Sequence, residues 1–91
     1  MNEASIRHDP VGHQFEMTVD GHRAYLAYMD LGQQTWDIYR TYVPTDLRGK
    51  GIAAALTEHA LQHAESMGYK VIPSCSYVER YMERRQRQAA K

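Results

Sequence analysis

Three sets of side chains in this sequence have types and spacings that suit chemistry. The first is the run Val43-Pro44-Thr45-Asp46-Leu47-Arg48-Gly49-Lys50-Gly51-Ile52-Ala53. Its glycines let the backbone turn sharply and approach a ligand closely. An amphipathic helix leaves the turn and presents its unpaired N–H groups and the positive end of its dipole there. Together these make a site for a phosphorylated ligand, and Arg48 and Lys50 add mobile positive charge. The spacing excludes two common phosphate loops. Gly-x-x-x-x-Gly-Lys-Ser/Thr is missing, and Ile52 and Ala54 break Gly-x-Gly-x-x-Gly. The second set is Cys75 with Tyr77 and Tyr81, two to eight residues past Pro73. Cys75 can serve as a nucleophile, as an acid toward a leaving thiolate, or as plain packing, since free cysteines are among the most buried residues. The third is the pair His59 and His63, four apart on the helix. They sit among Glu58, Gln62, Glu65 and Ser66, so the pattern reads as a solvated face rather than a metal site. His8, His13 and His22 show no ligand spacing, and no cysteine set accompanies them.

The elements that must position these groups follow from periodicity. Residues 1–5 read as loose, and 6–8 as a short edge strand ended by Asp9-Pro10-Val11-Gly12. Residues 14–19 alternate, with Phe15, Met17 and Val19 on one face. Asp20-Gly21 is a hairpin signal. Residues 23–30 return as a strand, 31–34 form a second turn, and 35–43 form a further full strand rich in β-branched and aromatic residues. Pro44 closes it. A helix is expected over 51–67, with Ile52, Leu56, Ala60, Ala64 and Met67 as its apolar stripe and Gly68 as its cap. Residues 69–72 form a short strand closed by Pro73. A final helix over 74–87 is capped by Ser74 or Ser76, and its charged end frays. Strand, helix and strand in this order make a βαβ unit, so 69–72 should lie parallel to 35–43. The fold class is α+β, a mixed sheet made of an antiparallel meander followed by that unit and a C-terminal helix.

At 91 residues the chain is read as one small domain. Eleven basic and eleven acidic side chains cancel, which argues against a nucleic-acid or membrane-surface binder. One cysteine excludes an internal disulfide and a multi-cysteine zinc site, and it fits a reducing compartment. Met1-Asn2-Glu3-Ala4-Ser5 lacks the apolar core of a signal peptide, and no apolar run suits a bilayer span. The expectation is a cytoplasmic monomer. Arg80, Arg84, Arg85 and Arg87, interleaved with Glu79 and Glu83, read first as a solvated helix face, with contact to a ligand phosphate or to an acidic partner as the alternatives.

Arg48-Gly49-Lys50-Gly51-Ile52-Ala53 resembles the Arg/Gln-x-x-Gly-x-Gly/Ala signature of the GCN5-related N-acetyltransferases. Around it, Thr41-x-Val43-Pro44, Val71-Ile72-Pro73-x-Cys75-x-Tyr77-Val78-x-x-Tyr81 and Asp20-Gly21-x-x-Ala24-Tyr25-Leu26-x-Tyr28 are similar to the small single-domain, YjdJ-type branch of that superfamily, from about residue 6 to residue 85. The resemblance implies acetyl-CoA as co-substrate, its pyrophosphate held by the amides of Arg48, Gly49, Lys50, Gly51, Ile52 and Ala53. It implies an amine as acceptor and no metal. Backbone N–H groups around Tyr42 and Val43 are expected to polarise the thioester carbonyl. Tyr77 is a candidate wall of the acyl pocket, and Cys75 a candidate proton donor beside the thioester. No Asp or Glu stands out as a base. The competing readings are a non-catalytic CoA or acyl-CoA-binding or regulatory module and a plain α+β interaction domain.

Overall fold

The structure, a computed structural model, describes residues 5–89. Of the segment expected to be loose, residues 1–4 lie outside the described residues. Strands β1 (Arg7–Asp9), β2 (Gln14–Val19), β3 (His22–Gly32) and β4 (Thr35–Tyr42) run as an antiparallel meander. A 3-10 turn at Thr45–Leu47 leads to α1 (Ile52–Ser66), then β5 (Lys70–Pro73) and α2 (Ser76–Ala89). The sheet order is β1-β2-β3-β4-β5, and β5 lies parallel to β4, as the strand–helix–strand order leads one to expect.

The hairpin turns work as their residues dictate. Asp20 and Gly21 both take positive φ, 52° and 79°, the geometry a two-residue hairpin demands. The second turn is shorter than expected. β3 continues to Gly32, and Gln33 and Gln34 alone turn the chain, at φ 53° and 56°. In α1, Ile52, Leu56, Ala60 and Ala64 are buried as the stripe requires, while Met67 stays exposed beyond the helix end. Gly68 then takes φ 74°. Neither Ser74 nor Ser76 caps α2. The Glu79 amide donates to the Cys75 carbonyl at 2.9 Å, so Cys75 stands at the cap and Ser76 is the first helical residue. Pro73 is itself the last residue of β5, pairing with Ile38 where the ladder ends.

Alternation along β4 breaks once, and the break matters. Tyr28 pairs with Ile38, yet Ala27 pairs with Arg40, so Tyr39 is an extra residue, a β-bulge. Before it, Trp36 and Ile38 are buried on the helix side; after it, Thr41 and Val43 take that side, and Tyr39, Arg40 and Tyr42 are exposed.

Both helices serve one face of the sheet. Phe15, Met17, Leu26, Tyr28, Trp36 and Ile38 pack there against Ile52, Leu56, Ala60, Leu61 and Ala64 of α1 and Val78 of α2. The opposite face leaves Met29, Tyr39, Tyr42 and Ile72 each at least 40% exposed.

Two surface readings need correction. His59 and His63 are half-buried rather than solvated: the His63 ring lies 4.7 Å from His8 and 5.9 Å from Trp36, and the His59 ring 5.6 Å from Phe15. His8 stacks on Phe15 at 4.2 Å and its Nε2 lies 2.7 Å from the Tyr28 hydroxyl. Burial, then the neighbouring His63, pushes its pKa down. Arg85 does not sit on a free solvated face either. It reaches across to α1, with Nε and Nη2 on Glu58 and Nη1 and Nη2 on Glu65 at 2.6–3.2 Å. The Tyr81 hydroxyl donates to Glu58 at 2.7 Å. The end of α2 therefore holds as helix to Ala89.

Arg85 beside Glu58 holds that carboxyl down at about 2, below its ordinary 4.5. A depressed folded value means the clamp stabilises fully above pH 4.5 and is lost as the pH falls through about 2. Arg85→Ala should cost about 1–3 kcal/mol at neutral pH, because it leaves Glu58 half-buried without its cation. Urea unfolding at neutral pH and at pH of about 3 checks this, and the gap from wild type should shrink at the lower pH. A gap independent of pH would mean that the guanidinium acts by packing alone.

Candidate functional site

The run from β4 to α1 folds into a cradle because three residues pin it. Leu47, 1% exposed, plugs the 3-10 turn into the core. The Leu47 amide donates to the Pro44 carbonyl at 2.9 Å, and Arg48 Nε donates to the Val43 carbonyl at 3.4 Å. Asp46, on the same turn, meets His22 Nε2 at 3.1 Å and ties it to the start of β3.

Gly49 and Gly51 then take φ 83° and 76°, and a Cβ on either would meet no atom within 4 Å. They are needed for backbone conformation and for the open space above them. Gly51 caps α1 without a side chain, and the first intrahelical bond runs from the Ala55 amide to the Gly51 carbonyl at 3.0 Å. The amides of Ile52, Ala53 and Ala54 are therefore left to face outward with the dipole's positive end. No acidic residue lies in that first turn. A pyrophosphate fits this cradle on charge, donors and space.

A concavity of about 160 Å³ opens here. It brings together Val43, Arg48, Gly49, Gly51, Ile52, Ala53 and Tyr77 from the expected set, and adds Leu47 and Ala54. The side chains of three further residues from that set do not line this concavity. Lys50 is exposed and does not line it. Tyr42 turns to the opposite face of the sheet, its ring 5.5 Å from Tyr25 and 6.0 Å below the Arg40 guanidinium. The bulge at Tyr39 is the reason, since it puts Val43 on the helix side and so Tyr42 on the other. Cys75 is half-buried, its amide on the Ile38 carbonyl at 3.0 Å and its thiol 3.7 Å from the Thr41 hydroxyl. Burial raises the pKa of Tyr77.

These contacts mark where the sheet parts. Ladder pairing between β4 and β5 ends at Ile38 and Pro73, and Cys75 makes the last backbone bond. β4 runs on to Tyr42, so its outer edge from Tyr39 onward has no strand partner among the described residues. Peptide groups on that edge are free to donate or accept. The gap opens toward the glycine cradle on one side and toward Cys75 at its foot.

One residue at this gap carried no signal in the sequence. Asp37 pairs with Met29 and Ile72 on the face without helices, next to the last paired residue. Its Oδ1 is sealed from solvent and has no hydrogen-bond partner among the described residues. The other such atom, Thr57 Oγ1, lies within the core of α1. An orphaned carboxylate oxygen is costly to keep, and a catalytic role is one reason for a fold to keep one. Among the described residues, no group of three or more His, Cys, Asp or Glu side chains is arranged to hold a metal ion.

Comparison with known proteins gives the arrangement a family. Residues 14–91 match the model of the GCN5-related N-acetyl-transferase family. The chain is also similar to proteins called Protein NATD1. The relative from Xenopus tropicalis is 32% identical over 80 residues, covering 86% of this chain and 73% of its own. The one from Mus musculus has the same identity and coverage, and that from Danio rerio is 29% identical over the same shares. A glycine cradle at a helix start, a sheet that parts beside it and a match over most of the chain agree: this protein belongs to the GCN5-related N-acetyltransferase family.

Proposed function

We propose that this protein moves an acetyl group from acetyl-CoA to an amine by direct transfer. The observation that carries the reading is the parting of β4 and β5 beyond Ile38, with an anion cradle on its helix side and Asp37 on its open side. The pyrophosphate rests on the amides of the 48–53 turn, and the thioester arm enters the gap. Free peptide groups on the outer edge of β4 supply the donors that a developing oxyanion needs. The amine approaches from the face without helices. As its nitrogen bonds to the carbonyl carbon and the carbon–sulfur bond breaks, Asp37 takes the proton the nitrogen sheds. Cys75 returns a proton to the departing thiolate. Much of the rate comes from holding the two reactants in line. A cytoplasmic monomer of the small YjdJ-type branch, folded as one domain, completes the proposal; light scattering reads the mass, and a dimer would correct it.

The first test is binding. Gly51→Glu should abolish acetyl-CoA binding, since it sets negative charge beside the pyrophosphate. Gly51→Ala is the control. Both variants carry the same strain at positive φ, about 1–2 kcal/mol, and neither Cβ meets an obstacle. Calorimetry should find binding in the alanine variant and none in the glutamate variant. Equal binding in both would place the pyrophosphate elsewhere.

The second test separates turnover from mere binding and direct from covalent transfer. Asp37→Asn should bind acetyl-CoA as wild type does and lose about a hundredfold in kcat on an amine panel. No turnover in wild type with any amine would favour a binding module. Intact-mass spectrometry of wild type with acetyl-CoA and no amine should show unmodified protein, and Cys75→Ser should keep substantial activity. A stoichiometric acetyl mass on Cys75, discharged by amine, would show covalent transfer instead.

A further inference from the structure

α2 carries a basic stripe that the transfer reaction does not use. Arg80, Arg84 and Arg87 recur at spacings of four and three beyond Tyr77, so all four share one face of the helix. The three arginines are exposed, and none has a carboxylate partner among the described residues. Arg85, in the same turn, is locked between Glu58 and Glu65. The stripe is therefore basic charge left over after the clamp is satisfied. Arg84 lies 6.0 Å over the Tyr81 ring, and the Tyr77 and Tyr81 rings are nearly parallel, 29° apart with centroids at 6.3 Å.

Tyr77, Arg80, Glu83, Arg84 and Arg87 line a second concavity of about 200 Å³. Tyr77 also lines the glycine cradle, so the two concavities meet at one ring. Glu83 is the one carboxylate among these lining residues, against three guanidinium groups. In a chain whose charges balance overall, that is a local excess of positive charge beside a pyrophosphate site.

We propose that Arg80, Arg84 and Arg87, with Tyr77 as a ring platform, form the subsite for the 3′-phosphoadenosine end of coenzyme A. The inference rests on the acetyl-CoA reading above and adds where the rest of that molecule goes. Coenzyme A differs from its 3′-dephospho form by a phosphomonoester, which carries between one and two negative charges at neutral pH. Guanidinium groups match phosphate oxygens in a two-bond fork. A tyrosine face beside them offers the purine a stacking surface. The subsite therefore makes this chain selective for ligands that carry the 3′-phosphate.

Calorimetry with coenzyme A and with 3′-dephospho-coenzyme A tests this on the full chain. Wild type should bind coenzyme A about ten- to a hundredfold more tightly, the range that charge-assisted hydrogen bonds supply. The triple variant Arg80→Gln/Arg84→Gln/Arg87→Gln should lose that preference and bind both ligands as wild type binds the dephospho form. Glutamine nearly equals arginine as a helix former and Arg85 is untouched, so circular dichroism should not change. Arg7→Gln, which removes one charge on β1, should leave the preference intact. A wild-type preference near one, a preference that survives in the triple variant, or equal weakening for both ligands would overturn the subsite while leaving the cradle in place. An acidic peptide competing with coenzyme A only in wild type, with no 3′-phosphate preference, would assign the stripe to a protein partner and overturn it likewise. Binding of neither ligand by wild type would overturn the acetyl-CoA reading itself.

Discussion

β4 is paired along both edges as far as Ile38 and along one edge beyond it, and the rest of the molecule follows from that asymmetry. A strand with a free edge inside a folded protein exposes peptide groups that ordinarily invite another strand. Here β5 cannot extend to cover them. Pro73 supplies no N–H, and Cys75 turns the chain into α2 as that helix's cap. The free edge is thus preserved by covalent and capping constraints on its neighbour. The bulge at Tyr39 completes the arrangement, because it re-aims the strand at the point where pairing stops.

Most of the fold was legible in the pattern of residue types. β2 runs over the residues whose alternation was clean, Asp20 and Gly21 turn as the dipeptide demands, and the apolar spacing of α1 buries four of its five expected positions. The bulge was not legible, because an extra residue in a strand has no composition of its own; only pairing partners reveal it. That one extra residue turns the Tyr42 ring to the face without helices, while the backbone N–H groups expected to act there belong to the unpaired edge of β4. Asp37 was hidden for a related reason. An aspartate within an alternating strand reads as ordinary solvent-facing polarity, and only the packing around it shows one oxygen cut off from solvent. His59 and His63 misled in the opposite direction. Their polar neighbours in sequence suggested water, while Phe15 and Trp36, distant in sequence, form the wall they face.

The one-sided core bears on how the proposed transfer would bring two reactants together. With both helices on one face, that face can hold a long ligand between α1, α2 and the parted strands. The other face leaves Met29, Tyr39, Tyr42 and Ile72 exposed, with Asp37 partly buried between Met29 and Ile72. Tyr25, Arg23 and Arg40 stack across this face at 4.9 and 5.7 Å, which stiffens exposed side chains without a covering layer. On the proposed reading, separation of the two approaches follows from the layer architecture.

The Glu58–Arg85–Glu65 clamp then sets the width of the ligand face. It joins the two helices well past their starts, so α2 is held against α1 while Tyr77 stands over Ala53 and Ala54 at the cradle's rim. A hydrophobic contact alone would permit α2 to slide, since apolar burial is non-directional. A guanidinium with five N–H donors in a fixed fork, facing two carboxylates about two turns apart on α1, fixes register as well as distance. The clamp also spends two of the chain's carboxylates on one arginine. That leaves neighbouring arginines of α2 without a carboxylate partner among the described residues, and a chain of balanced formal charge comes to present a basic face beside its glycine cradle.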